Sequence, residues 1–203
     1  MRTLDQFDVS RETIARLEVF ESLVQKWNPS INLIAKSTLH EIWERHIVDS
    51  VQLHQFAPTD PDIWLDIGSG GGFPGIIMAI MSSGRGYQTK FTFIESDQRK
   101  STFLRTAARE VGLDIKVYAD RIEKVEPVGA TVVTARALKS LNELMPFLHR
   151  HMRPDGIAIL PKGQNFAAEI PDAKSNWRFD LTEHPSKTNN DARILIVKDI
   201  ACD

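Results

Sequence analysis

Cysteine is almost missing from this 203-residue chain: the single one, Cys202, lies one residue from the C-terminus. Its placement excludes an internal disulfide, a zinc cluster built from cysteines and a central thiol nucleophile. Long apolar runs are missing as well, since nothing approaches the roughly 18 residues that a membrane span requires. The N-terminal MRTLDQFDVSRETIARLEVF mixes acids with apolar residues and lacks a secretory apolar core, so the expected location is the cytoplasm, with no membrane partner. Positive charge is not in surplus, with 25 basic against 27 acidic residues. That speaks against a broad basic surface gripping naked nucleic acid and leaves room only for a local basic rim. No repeat or low-complexity tract interrupts the chain.

What is present is an ordinary globular composition, 42% hydrophobic and 26% charged, in a chain long enough for one α/β domain with an appendage. From Ser10 to about Trp27, Ile14, Leu17, Phe20, Leu23, Val24 and Trp27 recur at spacings of three or four, which predicts an amphipathic helix ended by Asn28-Pro29. A second helix is expected from Thr38 to Phe56, with Ile42, Trp43, His46, Ile47, Ser50 and Leu53 on one side. Near residue 60 the texture changes to short β-rich runs alternating with helix-like stretches. Strands are predicted at 63–67, 90–94, 115–118, 130–134 and 156–160, with helices near 74–82, 97–111, 140–151 and 164–174. Two final runs, 177–184 and 193–200, have no helix between them and must pair as an antiparallel hairpin. The domain organisation expected is a helical extension over residues 1–60, packed on a Rossmann-like domain over 61–203. Five alternating strands and a terminal hairpin match the order of a seven-stranded Rossmann-like class I methyltransferase.

The densest signal is LDIGSGGGFPGIIMAI, residues 65–80. Gly70 to Gly75 can be read as G-x-G-x-x-G, a dinucleotide fingerprint. The preceding strand ends near Ile67, however, so the tight turn begins at Gly68, two residues before that match. Counted from Asp66 the pattern is D-x-G-x-G-x-G, which suits S-adenosylmethionine: an acid beside the loop favours an ammonium and repels a pyrophosphate. In open α/β sheets, ligands sit beyond the carboxyl ends of strands. Strand-end geometry therefore nominates Asp66, Gly68 and Gly70 after the first strand and Glu95, a candidate ribose-diol acceptor, after the second. It also nominates 120–123, 134–137 and 162–163 after the next three.

Other motifs carry less. His40 to His46 imitates a zinc-protease helix, but a gap of six turns the two rings to different faces, so no metal is expected. His149 and His151 read as a solvated helix end. Arg99, Lys100, Arg105 and Arg109 read as the outer face of a helix whose inner face carries Phe103, Leu104, Ala107 and Val111. The four tryptophans read as core or half-buried anchors. On the residues alone, an NAD(P)-dependent reductase and a non-catalytic nucleotide-sensing module stay open as rivals.

The glycine loop stands in a larger set: NLIAKS (32–37), RHIVDS (45–50), FIESDQRKSTFLRTAAREVGL (93–113), TARALKSL (134–141), LPKG (160–163) and RILIVK (193–198). Together, and in this order, they resemble the ribosomal small-subunit methyltransferase G family, also called glucose-inhibited division protein B. The resemblance implies methyl transfer from S-adenosylmethionine to N7 of one guanine in 16S ribosomal RNA near the decoding site. Carried over by position, it implies cofactor contacts at Gly68, Phe73, Ile122, Glu123 and Arg136. Gly71 and Met78 depart from the family's usual small residue or proline, which affects turn stiffness more than chemistry.

The chemistry fits what is absent. Methylating C5 of a pyrimidine needs a central cysteine, and methylating an exocyclic amine uses an N/D-P-P-aromatic element where this chain reads TARA. Guanine N7 has a lone pair and no proton to lose, so no catalytic general base is expected. Arg45, His46, Lys139, Lys162 and Arg193 are the candidate RNA rim, and a folded small-subunit particle is the substrate that would suit a slightly acidic enzyme.

Overall fold

The computed structural model describes Leu4 and residues 7–202. Helix α1 runs Arg11–Ile31; Ser10 caps it by accepting from the Thr13 amide at 3.1 Å. It does not stop at Asn28-Pro29. Asn32, at φ 48°, closes the helix instead by donating its amide to the Asn28 carbonyl at 3.0 Å. Asn28 is buried, and its side-chain oxygen accepts from the Ile34 amide at 2.9 Å. Burial of Val24 and Ile31 on either side outweighs the one hydrogen bond that Pro29 forgoes.

The expected second helix is a run of changing pitch. It passes from 3-10 (Lys36–Glu41) through π (Trp43–Val48) and a short α2 (Asp49–Val51) to 3-10 again (Gln52–Phe56). Its inward side is the one expected: Ile42, Trp43, Ile47, Ser50 and Leu53 are buried.

Strands β1 (Ile63–Ile67), β2 (Lys90–Ile94), β3 (Ile115–Tyr118) and β4 (Ala130–Thr134) begin and end where the apolar runs do. Between them lie α3 (Gly75–Gly84) and α4 (Gln98–Glu110), and only a 3-10 turn at Ile122–Lys124 joins β3 to β4. Helix α5 (Leu141–His151) starts with a reciprocal capping box between Ser140 and Glu143. It passes directly into β5 (Met152–Lys162), which is longer at its start than the expected 156–160 because register shifts where Ala130 pairs with Met152. After α6 (Phe166–Lys174), β6 (Trp177–Pro185) and β7 (Arg193–Cys202) form the antiparallel hairpin.

One seven-stranded sheet results, ordered β3-β2-β1-β4-β5-β7-β6. Alternation along each strand divides the core between its faces. Trp64, Phe91, Phe93, Val132, Ile157 and Ile159 pack with α1, α3 and α4, while Leu65, Ile67, Val133, Ala158 and Leu160 pack with α5 and α6. The run 36–56 shares the first of these cores. Strand order reverses between β1 and β4, which opens a crevice at their carboxyl ends.

Three side-chain expectations resolve here. Phe103, Leu104, Ala107 and Val111 are buried beneath an exposed Arg99, Arg105 and Arg109. Trp43 and Trp64 are buried and Trp27 meets Phe103 edge-on at 5.7 Å, so the anchor reading holds for them. His151 is not solvated: it is fully buried, and its Nε2–H donates to the Ile122 carbonyl at 3.1 Å. That bond ties the end of α5 to the residues that follow β3.

Candidate functional site

A cleft of about 1530 Å³ opens at the strand-order reversal. Its lining brings together Gly68, Gly70, Phe73, Glu95, Ile122, Glu123 and Arg136 with Arg45, His46, Lys139, Lys162 and Arg193. Of the residues nominated for cofactor or RNA, Asp66, Thr134 and Ala135 are buried outside this lining, and the others are at the cleft.

The loop after β1 is held by main-chain bonds. The Gly68 amide donates to the Ile94 carbonyl at 2.9 Å, and the Gly72 amide to the Ser69 carbonyl at 2.8 Å. Gly68 and Gly70 have φ of +64° and +52°, a region that L side chains resist. A Cβ on Gly70 would meet nothing nearer than the Gly68 carbonyl, 3.8 Å away, so it would project into open cleft. Glu95 fixes this loop: Oε2 accepts from the Gly70 amide at 2.7 Å and Oε1 from the Asp97 amide at 2.8 Å. Each carboxylate oxygen has two acceptor positions, so a ribose diol can still be received.

Asp66 stands beneath the loop and not in the cleft, a correction to its expected place beside the cofactor. Alternation puts it on the same face as Trp64, under α3, where it is 1% exposed. The Thr134 hydroxyl donates to Oδ1 at 2.6 Å, and the Trp64 indole donates to Thr134 at 3.1 Å. Oδ2 is turned toward Gly75, where a Cβ would come within 2.7 Å of it. Burial pushes the carboxyl up to about 7, against the opposing pull of the Thr134 and Ser69 hydroxyls and of Arg136. Asp66 thus joins the β1 end to the β4 end and sets the floor on which the glycine loop rests.

On the other wall the loop after β4 presents Arg136. Its Nη2 donates to His46 Nδ1 at 2.9 Å, its Nη1 is 3.6 Å from Asp49 Oδ2, and the guanidinium lies 5.2 Å from the Phe73 ring centroid. Arginine only donates, so His46 Nδ1 must accept. The Thr38 hydroxyl gives its proton to the Ala35 carbonyl at 2.9 Å and therefore accepts from His46 Nε2–H at 2.8 Å. Both ends require the neutral Nε2–H imidazole. Burial, with Arg136 and Arg45 adding to it, holds His46 down to about 4, in agreement. His46, nominated as an RNA contact, spends both ring nitrogens on positioning Arg136.

The remaining rim cations differ in freedom. Lys162 is nearly buried, its ammonium donating to Glu169 at 2.7 Å and to the Lys139 carbonyl at 2.8 Å. It braces the β5 end against α6 and is not a free rim charge, because Glu169 also receives the Leu141 amide at 2.7 Å. Arg193 donates through Nη1 to the carbonyls of Asn190 and Ala192, both at 2.8 Å. Lys139 pairs with Glu143 at 2.9 Å and Arg45 with Glu41 at 3.5 Å, both along exposed helical surface. His40 is exposed while His46 faces inward, and no cluster able to hold a metal occurs among the described residues. Asp49, Gln52, Thr38 and Glu169 were not singled out from the sequence as site residues, whereas Thr134, expected at the strand end, bonds the buried Asp66. Asp49 lies within RHIVDS, three residues after His46, but its partner Arg136 is distant in the chain.

The comparisons agree with this geometry. A model of the family described as rRNA small subunit methyltransferase G matches residues 13–195. The chain is similar to the Ribosomal RNA small subunit methyltransferase G of Cereibacter sphaeroides, 47% identical over 98% of this chain and 96% of that one. It is also similar to that of Paracoccus denitrificans, 48% identical over 92% and 95%. Among solved structures, a TehB-like SAM-dependent methyltransferase from Corynebacterium glutamicum shares the fold with TM-score 0.58 at 12% identity, covering 90% of this chain and 99% of that one. A SAM dependent methyltransferase from Aquifex aeolicus does so with TM-score 0.58 at 14% identity, covering 87% and 96%. Neither the reductase nor the sensing module finds support among these relatives. The chain belongs to the rRNA small subunit methyltransferase G family.

Proposed function

We propose that this chain transfers a methyl group from S-adenosylmethionine to N7 of a guanine in 16S ribosomal RNA, acting in the cytoplasm on the small ribosomal subunit. The observation that carries this reading is one cleft, at the strand-order reversal, whose one wall is the glycine loop with Glu95 and whose other wall is cationic. In this reading residues 1–60 serve as a helical extension to a methyltransferase domain over 61–203. No helix among the described residues is long and apolar enough to cross a membrane.

The donor set fits the cofactor: Glu95 for the ribose diol, the glycine loop with the open face of Gly70 for the methionine half, and Phe73, Ile122 and Glu123 as flanking walls. When bound, the cofactor supplies an electrophilic methyl on a sulfonium. The chain's own part is placement. Glu95 and Asp66 hold the loop from two directions, Phe73 and Arg136 close the side toward the helical run, and the rim orients the RNA. Because N7 carries no proton, alignment and electrostatic complementarity suffice without a general base.

The test is incubation of the purified protein with labelled S-adenosylmethionine and small subunits lacking the modification, followed by mapping of the methylated nucleotide. Label on one guanine N7 is the expected result. Label on another atom, or none, overturns the reading, and equal modification of protein-free RNA overturns the particle as the preferred substrate. Calorimetry with S-adenosylhomocysteine and with NADH tests the cofactor separately.

A further inference from the structure

Gln52 is fully buried at the start of the last 3-10 segment of the run 36–56, and its carboxamide reaches a remote turn. Nε2 donates to Asp49 Oδ1 at 2.9 Å and reaches Ser186 Oγ at 3.2 Å and Thr188 Oγ1 at 3.3 Å. Oε1 accepts from the Lys187 amide at 2.8 Å. The Thr188 hydroxyl donates to Asp49 Oδ1 at 2.5 Å, completing a closed set of bonds between the run and the turn joining β6 to β7. Asp49 turns its second oxygen toward Arg136.

That turn needs such an anchor. Ser186 is buried, but residues 187–191 are exposed and contribute little apolar packing apart from Lys187, whose ammonium lies 4.8 Å from the Phe7 ring centroid. Further along the turn, the Asn190 and Ala192 carbonyls receive Arg193 Nη1, and its guanidinium lies 5.4 Å from the Phe166 ring centroid. The backbone of Arg193 is held in β7 opposite Lys162 and Pro185, and the turn sets the direction of its guanidinium. Only a side chain with both a donor and an acceptor satisfies this set: leucine offers neither, and glutamate in its charged form faces Asp49 without a proton.

We propose that Gln52 is a positioning residue for methyl transfer, holding the turn after β6 against the helical run so that Arg193 is fixed at the cleft mouth where RNA enters. The inference rests on the RNA-methyltransferase reading above and deepens it.

The test compares parent and Gln52→Glu on small subunits from about pH 5 to about pH 8, a window in which a buried carboxyl beside a carboxylate titrates. The charged groups facing the new side chain are Asp49 and, behind it, Arg136; His46 and His54 are held neutral down to about 4. Protonated, the glutamate donates to Asp49 as the amide did; ionised, it repels Asp49 and frees the turn. The variant's KM for the particle, taken relative to the parent at each pH, is expected to rise about tenfold toward high pH, equivalent to about 1.4 kcal/mol. Its affinity for S-adenosylhomocysteine by calorimetry should stay within a factor of about two.

A relative KM flat with pH overturns the inference, as does a loss of S-adenosylhomocysteine affinity equal to the KM change, which makes the defect one of general structure. If Gln52→Glu does not fold, Thr188→Val removes the exposed hydroxyl that links Gln52 to Asp49 and should raise the particle KM alone; an unchanged KM there overturns it equally. A parent that binds S-adenosylhomocysteine but methylates no particle defeats the functional reading itself, a result distinct from a failure of the variant alone.

Discussion

The two walls of the cleft are built by opposite means. The cofactor wall is mostly backbone: glycine amides at the β1 end, set by Ile94 carbonyl bonds and by Glu95 from the next strand. The opposite wall is mostly side chain, and its cations are already engaged, Arg136 with His46 and Asp49, Lys162 with Glu169, Arg193 with turn carbonyls. Cations in such a wall are scaffold first. An arginine has five N–H donors and a lysine three, so each can hold the fold with some donors and meet a phosphate with the rest. The comparison predicts that damage to the first wall reads out in cofactor binding and damage to the second in stability and RNA binding.

The sharpest break is Glu95→Ala. It orphans the Gly70 and Asp97 amides, each hydrogen bond to a charged acceptor being worth about 1.5–3 kcal/mol. S-adenosylhomocysteine affinity should fall more than about 100-fold by calorimetry, at about 1.4 kcal/mol per tenfold. Retained affinity would mean that the loop holds its shape without the carboxylate. The second break is Lys162→Ala, which leaves Glu169 partly buried without its cation and should cost about 1–3 kcal/mol. At this chain length that lowers Tm by roughly 2–10 °C, with cofactor affinity nearly unchanged. Replacing Glu169 by glutamine as well should return much of the loss, because no charge is then stranded and the Leu141 amide keeps an acceptor.

These two variants also mark the limit of what the sequence discloses. The glycine loop was legible because strand, turn and helix are contiguous, and the turn's demand for positive φ shows directly as glycine at 68 and 70. Glu95 was legible as an acid at a strand end, although its bond to Gly70 was not. The strands were legible because their apolar runs are short and bounded. Lys162 and Glu169 are seven residues apart across a strand end and a helix, and their pairing depends on how β5 meets α6. The buried acid Asp66 was misplaced for a simpler reason: strand alternation turned it away from the cleft. Asn28-Pro29 misled because a local helix stop was overridden by burial on both sides. Gln52 gives little local sign, since apart from Asp49 its partners arrive from the turn joining β6 to β7.

Asp66 offers a test that sets the floor apart from both walls. Its folded carboxyl is raised to about 7 from an ordinary value near 3.8, so between those values the folded protein binds more protons than the unfolded chain. Its contribution is present below about pH 4 and lost as pH rises through about 7. Asp66→Asn removes that dependence. Its Tm relative to the parent should therefore move upward, by a few degrees, as pH is raised across this window, measured by calorimetric melting. A difference constant with pH would mean that the carboxyl titrates normally and that its burial is relieved in solution.

The smallest effect on the fold is expected at Arg45. Its guanidinium is 60% exposed, and its pair with Glu41 at 3.5 Å is of the i,i+4 kind, worth less than about 0.5 kcal/mol. Arg45→Ala should leave melting and cofactor affinity where they are. What distinguishes a free rim cation from a bracing one is then salt. If Arg45 meets an RNA phosphate, its removal weakens particle binding and lowers the slope of log affinity against log salt by about 0.7, the counterion released by one single-stranded phosphate contact. Lys162→Ala, by contrast, should show a stability loss that depends less on salt, because its pair with Glu169 is partly buried. Equal salt slopes in the Arg45 variant and the parent would remove Arg45 from the RNA surface. Binding would then fall to cations that also hold the fold, and the division between scaffold and contact on this wall would disappear.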